Sequence, residues 1–88
     1  MNAITKRTER FLETKIDDEI VVMELGKGEF FSLTGTGLAI WQLIDGTRDP
    51  AALVEALRHE FNAAPGELAG DVEEFLAKLR DAGLIATD

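Results

Sequence analysis

The stretch Gly28–Gly37, which reads GEFFSLTGTG, decides how the rest of the chain is interpreted. Its first half is aromatic and apolar, which favours a strand from Glu29 to Leu33. Its second half alternates threonine with glycine, and glycine adopts the backbone angles of a tight turn at no steric cost. The stretch has neither the Gly-Lys-Ser/Thr ending of a phosphate-binding loop nor the third glycine of the dinucleotide fingerprint. We therefore interpret it as a strand that turns directly into a helix.

Two further strands are predicted before this stretch. The segment EIVVMEL is rich in β-branched residues and alternates, so that Ile20, Val22 and Glu24 share one face. The glycines of the following GKG form the turn of a hairpin that returns along EFFSL. Another strand is expected from about Arg10 to Ile16, joined by a turn at Asp17–Asp18. The pattern predicts a small antiparallel sheet.

After Thr34 the apolar spacing becomes helical. Leu38, Trp41 and Ile44 define a first helix, and a second begins at Pro50 behind the N-cap residue Asp49. A third helix runs from Pro65 to near Gly83 with these apolar residues at helical spacing: Leu68, Val72, Phe75, Leu76 and Leu79. The sequence thus predicts an α+β, winged-helix-turn-helix-like domain, a three-stranded antiparallel sheet followed by three helices, over residues 10–86. Residues 1–9 are expected to be a flexible N-terminus.

Length and charge limit the function classes. The chain has 88 residues, no cysteine and a net charge of −8 at pH 7. A single small domain is expected, with no disulfide or thiolate metal site. Because nucleic-acid affinity comes from basic residues that neutralise phosphates, an acidic chain is a poor candidate for nucleic-acid binding. No apolar run approaches the length of a membrane span, and the expected compartment is the cytoplasm.

Catalytic chemistry is poorly supported by the sequence. His59 is the single histidine and has no evident nucleophile beside it. The acidic groups Asp17–Glu19 and Glu73–Glu74 lack the alternating ligand pattern of a calcium loop. We therefore expect a protein that is not an enzyme and that holds no metal or cofactor of its own.

The strand Glu29–Leu33 is the last of the predicted sheet, and one of its edges is expected to be open. It contains no lysine or proline, the residues that usually block such an edge. An open edge invites an extended peptide to add a strand. Alternation places Phe30 and Ser32 on one face and Phe31 and Leu33 on the other, and we expect the second pair to face the helices. The alternatives are that the N-terminal segment or a second copy of the chain covers the edge.

The order of these elements resembles the PqqD family, which includes the recognition elements of ribosomally made, post-translationally modified peptides and the small standalone partners of lasso-peptide pathways. The resemblance spans about residues 10–86. It is carried by a strand with Phe30, Phe31 and Leu33, a Thr-Gly pair before a helix with Trp41, the run Leu43–Gly46, the third-helix pattern Asp71–Leu79 and the terminal Gly-Leu-Ile.

The resemblance implies a non-catalytic module. Such a module binds the leader region of a precursor peptide along the third predicted strand, in a groove walled by the third helix, and serves a peptide-modifying enzyme or a leader peptidase. Carried over, the peptide-binding residues are Glu29, Phe30, Phe31, Ser32, Leu33, Val72, Phe75, Leu76, Lys78 and Leu79. A monomer or a weak or domain-swapped dimer is expected. The alternatives are a winged-helix DNA-binding regulator, a structural subunit that shields its own edge, and a small enzyme.

Overall fold

The computed structural model describes residues 3–61 and 65–87, which form five strands, one short 3-10 turn and three α-helices. The strands are β1 (Ile4–Lys6), β2 (Phe11–Ile16), β3 (Glu19–Glu24), β4 (Phe30–Leu33) and β5 (Ile85–Thr87), and the helices are α1 (Gly35–Leu43), α2 (Pro50–Glu60) and α3 (Pro65–Asp81). The expected α+β architecture, a three-stranded antiparallel sheet followed by three helices, is confirmed. A second sheet, formed by the two terminal strands, adds to it.

The main sheet has the strand order β2-β3-β4, with both neighbouring pairs antiparallel. Its inner face is formed by the alternate residues predicted from EIVVMEL, since Ile20, Val22 and Glu24 are all buried. The turn between β2 and β3 begins at Asp17, whose φ of 51° lies in the left-handed region that aspartate tolerates better than most residues. Both outer strands of this sheet have one edge that no other described strand covers.

The helix starts follow the predicted signals. Asp49 lies immediately before α2, and its carboxylate accepts the backbone N–H of Ala52 at 2.8 Å while Pro50 occupies the first helical position. At the start of α1, Thr34 is the N-cap residue but makes no side-chain cap bond. The following Gly35 has a φ of +56°, a conformation that a residue with a side chain rarely adopts. The threonine-glycine pair therefore makes the turn from β4 into α1.

Trp41 lies at the centre of the core with no exposed surface. The ring of Phe11 meets its ring edge-on at a centroid distance of 5.2 Å, and its Nε1–H donates to Glu13 Oε1 at 2.6 Å. The Lys6 ammonium lies 4.4 Å from the centroid of the indole ring, and burial lowers the pKa of Lys6 below its ordinary value. These contacts join β1, β2 and α1 around one core side chain.

The N-terminal segment is more ordered than the sequence suggested. Ile4–Lys6 pair antiparallel with Ile85–Thr87, and the Ile4 side chain is 1% exposed. The Arg7 backbone N–H continues this connection by donating to the Leu84 carbonyl at 2.8 Å. The expectation of a flexible terminus across residues 1–9 is therefore wrong for this strand. Its three residues were too few for a recognisable pattern, and their partner strand lies at the other end of the chain.

None of the helices within residues 3–61 and 65–87 has the length and apolar character required to cross a bilayer.

Candidate functional site

A cleft of about 570 Å³ lies between β4 and the C-terminal half of α3. We call it the β4 cleft. Its lining residues are Glu29, Phe30, Phe31, Ser32, Leu33, Phe75, Lys78, Leu79, Asp81 and Ala82. Eight of the ten residues predicted as a peptide site are among them. The structure therefore brings the predicted strand and most of the predicted helix face together around one open groove.

Two predicted groove residues, Val72 and Leu76, belong to the core instead. Each is 1% exposed and neither lines the β4 cleft. Successive helical residues are separated by about 100° around the axis, so Leu76 points well away from its neighbour Phe75. The cleft receives the stripe Phe75, Lys78, Leu79 and Ala82, at spacing i, i+3, i+4, i+7. Val72 and Leu76 therefore lie in the core and outside the β4 cleft, because one broad apolar face of α3 supplies both the core and the groove.

Asp81 and Ala82 line the cleft but were missed by sequence reasoning. The signal for both was helical spacing, since Ala82 lies seven residues after Phe75 and Asp81 lies three after Lys78. Alanine and aspartate carry no apolar pattern of their own, which is why the stripe seemed to end at Leu79.

The backbone of β4 offers hydrogen-bonding groups at the cleft. β4 is one of the two outer strands of the main sheet, and the Glu24 N–H donates to the Glu29 carbonyl at 2.8 Å just before β4 begins. In an antiparallel ladder, hydrogen-bonded pairs alternate with non-bonded pairs. Phe31 and Leu33, opposite Val22 and Ile20, therefore direct their backbone groups toward β3. It follows that the N–H and C=O groups of Phe30 and Ser32 point to the open edge.

The side chains of β4 alternate as predicted. Leu33 is buried and Phe31 packs partly against the core, whereas the Phe30 side chain is 69% exposed. The predicted assignment of Phe31 to the helix face is confirmed. Phe31 also lines the cleft, so it is not a purely structural residue. Both phenylalanines flank the groove, one from the inner face of the sheet and one from the outer.

Gly37 allows the Phe75 ring to reach the groove. A Cβ atom at this position would lie 3.3 Å from Phe75 Cε1, closer than nine in ten real contacts of this kind. The second glycine of the threonine-glycine pairs thus permits the close approach of α3 to the first turn of α1. Next to this contact, Lys78 Nζ lies 3.9 Å from Glu74 Oε1 at the exposed rim, and a pair so exposed contributes little to stability.

The loop that leads into β4 is held by Glu24, which is 4% exposed. Its carboxylate accepts the backbone N–H groups of Lys27 at 2.6 Å and Gly26 at 3.0 Å, with Arg10 Nη2 at 3.8 Å. The hydrogen bond from Lys27 is the main cause of a lowered pKa for the Glu24 carboxyl, supported by the bond from Gly26. Because these bonds need the ionised form, Glu24 stabilises the loop that positions β4.

The hydrogen bonds accepted by the Glu24 carboxylate predict a specific acid dependence of stability. A carboxyl whose pKa is lowered in the folded state stabilises the fold above its ordinary pKa of 4.5. That stabilisation is lost as the pH falls through the lower pKa that Glu24 has in the folded state. We expect Glu24→Gln to lower the melting temperature at pH 7 and to flatten its decline between pH 7 and acid pH. Trp41 fluorescence during thermal unfolding at a series of pH values measures both effects.

Glu29→Gln is the matched control, because it removes an exposed carboxylate from the same loop. It should leave the melting temperature and its acid dependence nearly unchanged. If the two variants show the same pH profile, Glu24 is not the group responsible.

The remaining predicted residues lie outside the cleft. His59 is an exposed residue of α2 with its Nε2 3.6 Å from Glu55 Oε1. Within residues 3–61 and 65–87, no group of three or more His, Asp or Glu side chains is arranged to hold a metal ion.

Comparison with known proteins identifies the family. The family model described as Coenzyme PQQ synthesis protein D (PqqD) matches residues 19–85. The chain belongs to the PqqD family. The matched region contains β3, β4, all three helices and therefore the whole β4 cleft. Among curated proteins, no sequence matches this chain significantly.

Two solved structures share the fold of this PqqD family member. One is described as TbiB1 in complex with the TbiA(beta) leader peptide; it is 27% identical, the match covers 92% of this chain and 93% of that chain, and the TM-score is 0.82. The other is described as lasso peptide synthetase B1 complexed with the leader peptide; it is 19% identical, with coverage of 94% and 96% and a TM-score of 0.81. At that lower identity the second structure supports the fold alone.

Proposed function

We propose that this chain is a non-catalytic module that binds the leader region of a ribosomally synthesised precursor peptide. The leader adds as a strand to the open edge of β4 and inserts apolar side chains into the β4 cleft. The module then presents the precursor to a peptide-modifying enzyme or a leader peptidase. The observation that carries this proposal is the unpaired edge of β4 beside a groove lined by Phe30, Phe31 and Phe75.

The solved relative supports the choice of ligand. The structure of TbiB1, which shares 27% identity across nearly the whole chain, was determined with a leader peptide. An edge strand with an adjacent groove is also the general arrangement for peptide recognition by strand addition, in which main-chain bonds give affinity and pockets give specificity. An extended leader peptide can pair its main chain with the edge of β4 and place its side chains in the β4 cleft.

The energetics require the cleft as well as the edge. A micromolar dissociation constant corresponds to about −8 kcal/mol, and each backbone hydrogen bond contributes about 1 kcal/mol. The backbone groups of Phe30 and Ser32 supply only two donors and two acceptors. One or two buried apolar side chains of the leader add about 2–3 kcal/mol each, while ordering the leader costs about 2–5 kcal/mol. The affinity for the leader should therefore depend on apolar leader residues that enter the cleft.

Charge on α3 disfavours the DNA-binding alternative. Its exposed residues include Glu67, Asp71, Glu73, Glu74 and Asp81 against only Lys78 and Arg80. A helix that reads DNA presents arginine and lysine to the phosphates and bases. Affinity for the leader should accordingly fall only modestly with salt, unlike the steep loss expected for a polyanion.

Titration of the chain with a fluorescently labelled leader peptide tests the proposal, with Phe30→Ala as the key variant. Phe30 is 69% exposed, so its truncation should change the melting temperature by only a few degrees. It should weaken leader binding by about 1–3 kcal/mol, because an aromatic anchor beside the added strand is lost.

Leu12→Ala is the matched control. Leu12 is 57% exposed and lies in the same row across the sheet, paired with Met23, which in turn pairs with Phe30. It is two strands away from the cleft, so its truncation should leave leader affinity unchanged. An undetectable interaction between the wild-type chain and the leader would refute the proposed function.

A further inference from the structure

Two exposed apolar side chains of β2 are not explained by the β4 cleft. Leu12 is 57% exposed and Ile16 is 50% exposed, and both lie on the outer face of β2 at the opposite end of the main sheet. Every residue of β2 from Leu12 to Ile16 is exposed. Two large apolar side chains four residues apart on an outermost strand suggest that β2 is also a contact surface.

The backbone of β2 is open along one edge. The Leu25 N–H donates to the Arg10 carbonyl at 2.8 Å, which continues the β2–β3 ladder. Because bonded and non-bonded positions alternate, Leu12, Thr14 and Ile16 direct their backbone groups toward β3. The N–H and C=O groups of Phe11, Glu13 and Lys15 therefore point away from the sheet. Within residues 3–61 and 65–87, no strand pairs with them.

We propose that this open edge of β2 pairs with β2 of a second copy, antiparallel, about a two-fold axis at Thr14. This register places Glu13 opposite Lys15 of the second copy, and Leu12 opposite Ile16 of the second copy. The outward-pointing backbone groups of Glu13 and Lys15 then exchange hydrogen bonds across the axis. Charge, apolar surface and hydrogen-bonding groups are all matched by the same two-fold arrangement.

The neighbouring register is much less favourable. Shifting the axis to Glu13 preserves the alternation of hydrogen bonds, but it sets Glu13 directly against Glu13 of the second copy. Like charges directly opposite each other destabilise a strand pair. An axis at Leu12 or at Lys15 leaves only three residues of β2 overlapping. Electrostatics and overlap together select the axis at Thr14.

The resulting dimer is weak and has two leader sites. Five paired residues of each β2 strand span only about 17 Å, so the contact is smaller than the roughly 1,200–2,000 Å² of stable protein interfaces. Dimerisation is therefore concentration-dependent. It joins the two main sheets into one of six strands, in the order β4-β3-β2-β2-β3-β4. Both β4 edges lie at the ends of this sheet and remain open.

Disulfide formation from single cysteines tests the register, because the chain has no cysteine of its own. Thr14 lies on the axis in a non-hydrogen-bonded pair, where Cα atoms are about 4.5 Å apart, within the range of about 4.4–6.8 Å found for disulfides. Thr14→Cys should form a covalent dimer under mild oxidation at least about tenfold faster than Leu12→Cys, since two Leu12 residues are four positions out of register.

An equimolar mixture of Leu12→Cys and Ile16→Cys should form a mixed disulfide, which provides a second readout should Thr14→Cys fold poorly. Adding Lys15→Glu to Thr14→Cys should slow cross-linking, because it places two carboxylates opposite each other. The cross-linked Thr14→Cys dimer should still bind one leader per chain, a result that rests on the proposed function. Loss of leader binding in that dimer would indicate that the leader uses β2 rather than β4.

Sedimentation of the wild-type chain at increasing concentration completes the test. A monomer–dimer equilibrium that Lys15→Glu shifts toward monomer is expected. Equal cross-linking rates for Thr14→Cys and Leu12→Cys, or a wild-type chain that stays monomeric up to millimolar concentration, would overturn the proposal.

Discussion

Ser32→Pro is expected to abolish leader binding while the domain stays folded. The Ser32 N–H points to the open edge of β4, so the β3–β4 ladder does not need it. Proline is tolerated in a sheet where the missing N–H faces outward from an edge strand. The substitution removes a donor that the leader needs, and the proline ring occupies the space of the incoming strand. We expect affinity to fall by about 100-fold or more, equivalent to about 2.8 kcal/mol.

The comparison with Phe31→Pro makes this result specific. Phe31 lies opposite Val22 and directs its N–H toward β3, so proline there should break the internal ladder and unfold the small sheet. Circular dichroism and leader titration on both variants separate the outcomes. Wild-type affinity in Ser32→Pro would show that the leader does not pair with β4. Unfolding of Ser32→Pro with a stable Phe31→Pro would show that the alternation of bonded positions is reversed.

Leu76→Ala is expected to have the largest effect on stability. Its side chain is 1% exposed among the packed residues of the core, and truncation of such a leucine costs about 2–5 kcal/mol. In a domain of this size, each kcal/mol lowers the melting temperature by about 4–8 °C. The variant should therefore melt at least about 10 °C below the wild-type chain, and thermal unfolding followed by Trp41 fluorescence measures the shift.

Phe75→Ala is the matched variant one position earlier on α3. Phe75 is only half-buried and faces the β4 cleft, so its truncation should cost less stability than that of Leu76. It should weaken leader binding by about 1–3 kcal/mol, as expected for an aromatic residue at an interface. Leader titration well below each melting temperature compares the two. If Phe75→Ala proves as unstable as Leu76→Ala and binds leader normally, Phe75 belongs to the core and not to the groove.

These variants separate the residues of α3 that fill the core from those that line the β4 cleft, a distinction that the sequence did not resolve. The apolar residues Leu68, Val72, Phe75, Leu76 and Leu79 recur at helical spacing, which was sufficient to predict the helix and its buried face. Which of them meet a ligand depends on the rotation of α3 relative to β4. That rotation follows from packing against α2 and the close approach at Gly37, and such contacts are distant in sequence.

Local patterns were enough to determine the elements of this protein. The signals involved act over a few neighbouring residues. They are the alternation in EIVVMEL, the GTG turn, the N-cap Asp49 followed by Pro50, and the apolar residues at helical spacing. Propensity and capping therefore determine the strands and helices directly. The same alternation assigned Phe31 to the helix face and Phe30 to solvent. The order of the elements was sufficient to indicate the family and, with it, the strand and helix that flank the cleft.

Only the tertiary structure decided which surfaces remain available. The pairing of Ile4–Lys6 with Ile85–Thr87 joins the two ends of the chain, and no local signal records a contact over that separation. Other features likewise depend on how complete elements pack together. They are the burial of Val72 and Leu76, the position of Asp81 and Ala82 in the lining of the β4 cleft, and the two uncovered edges of the main sheet. Periodicity shows that a face is apolar; whether that face fills the core or receives a partner is determined by what lies opposite it in the fold.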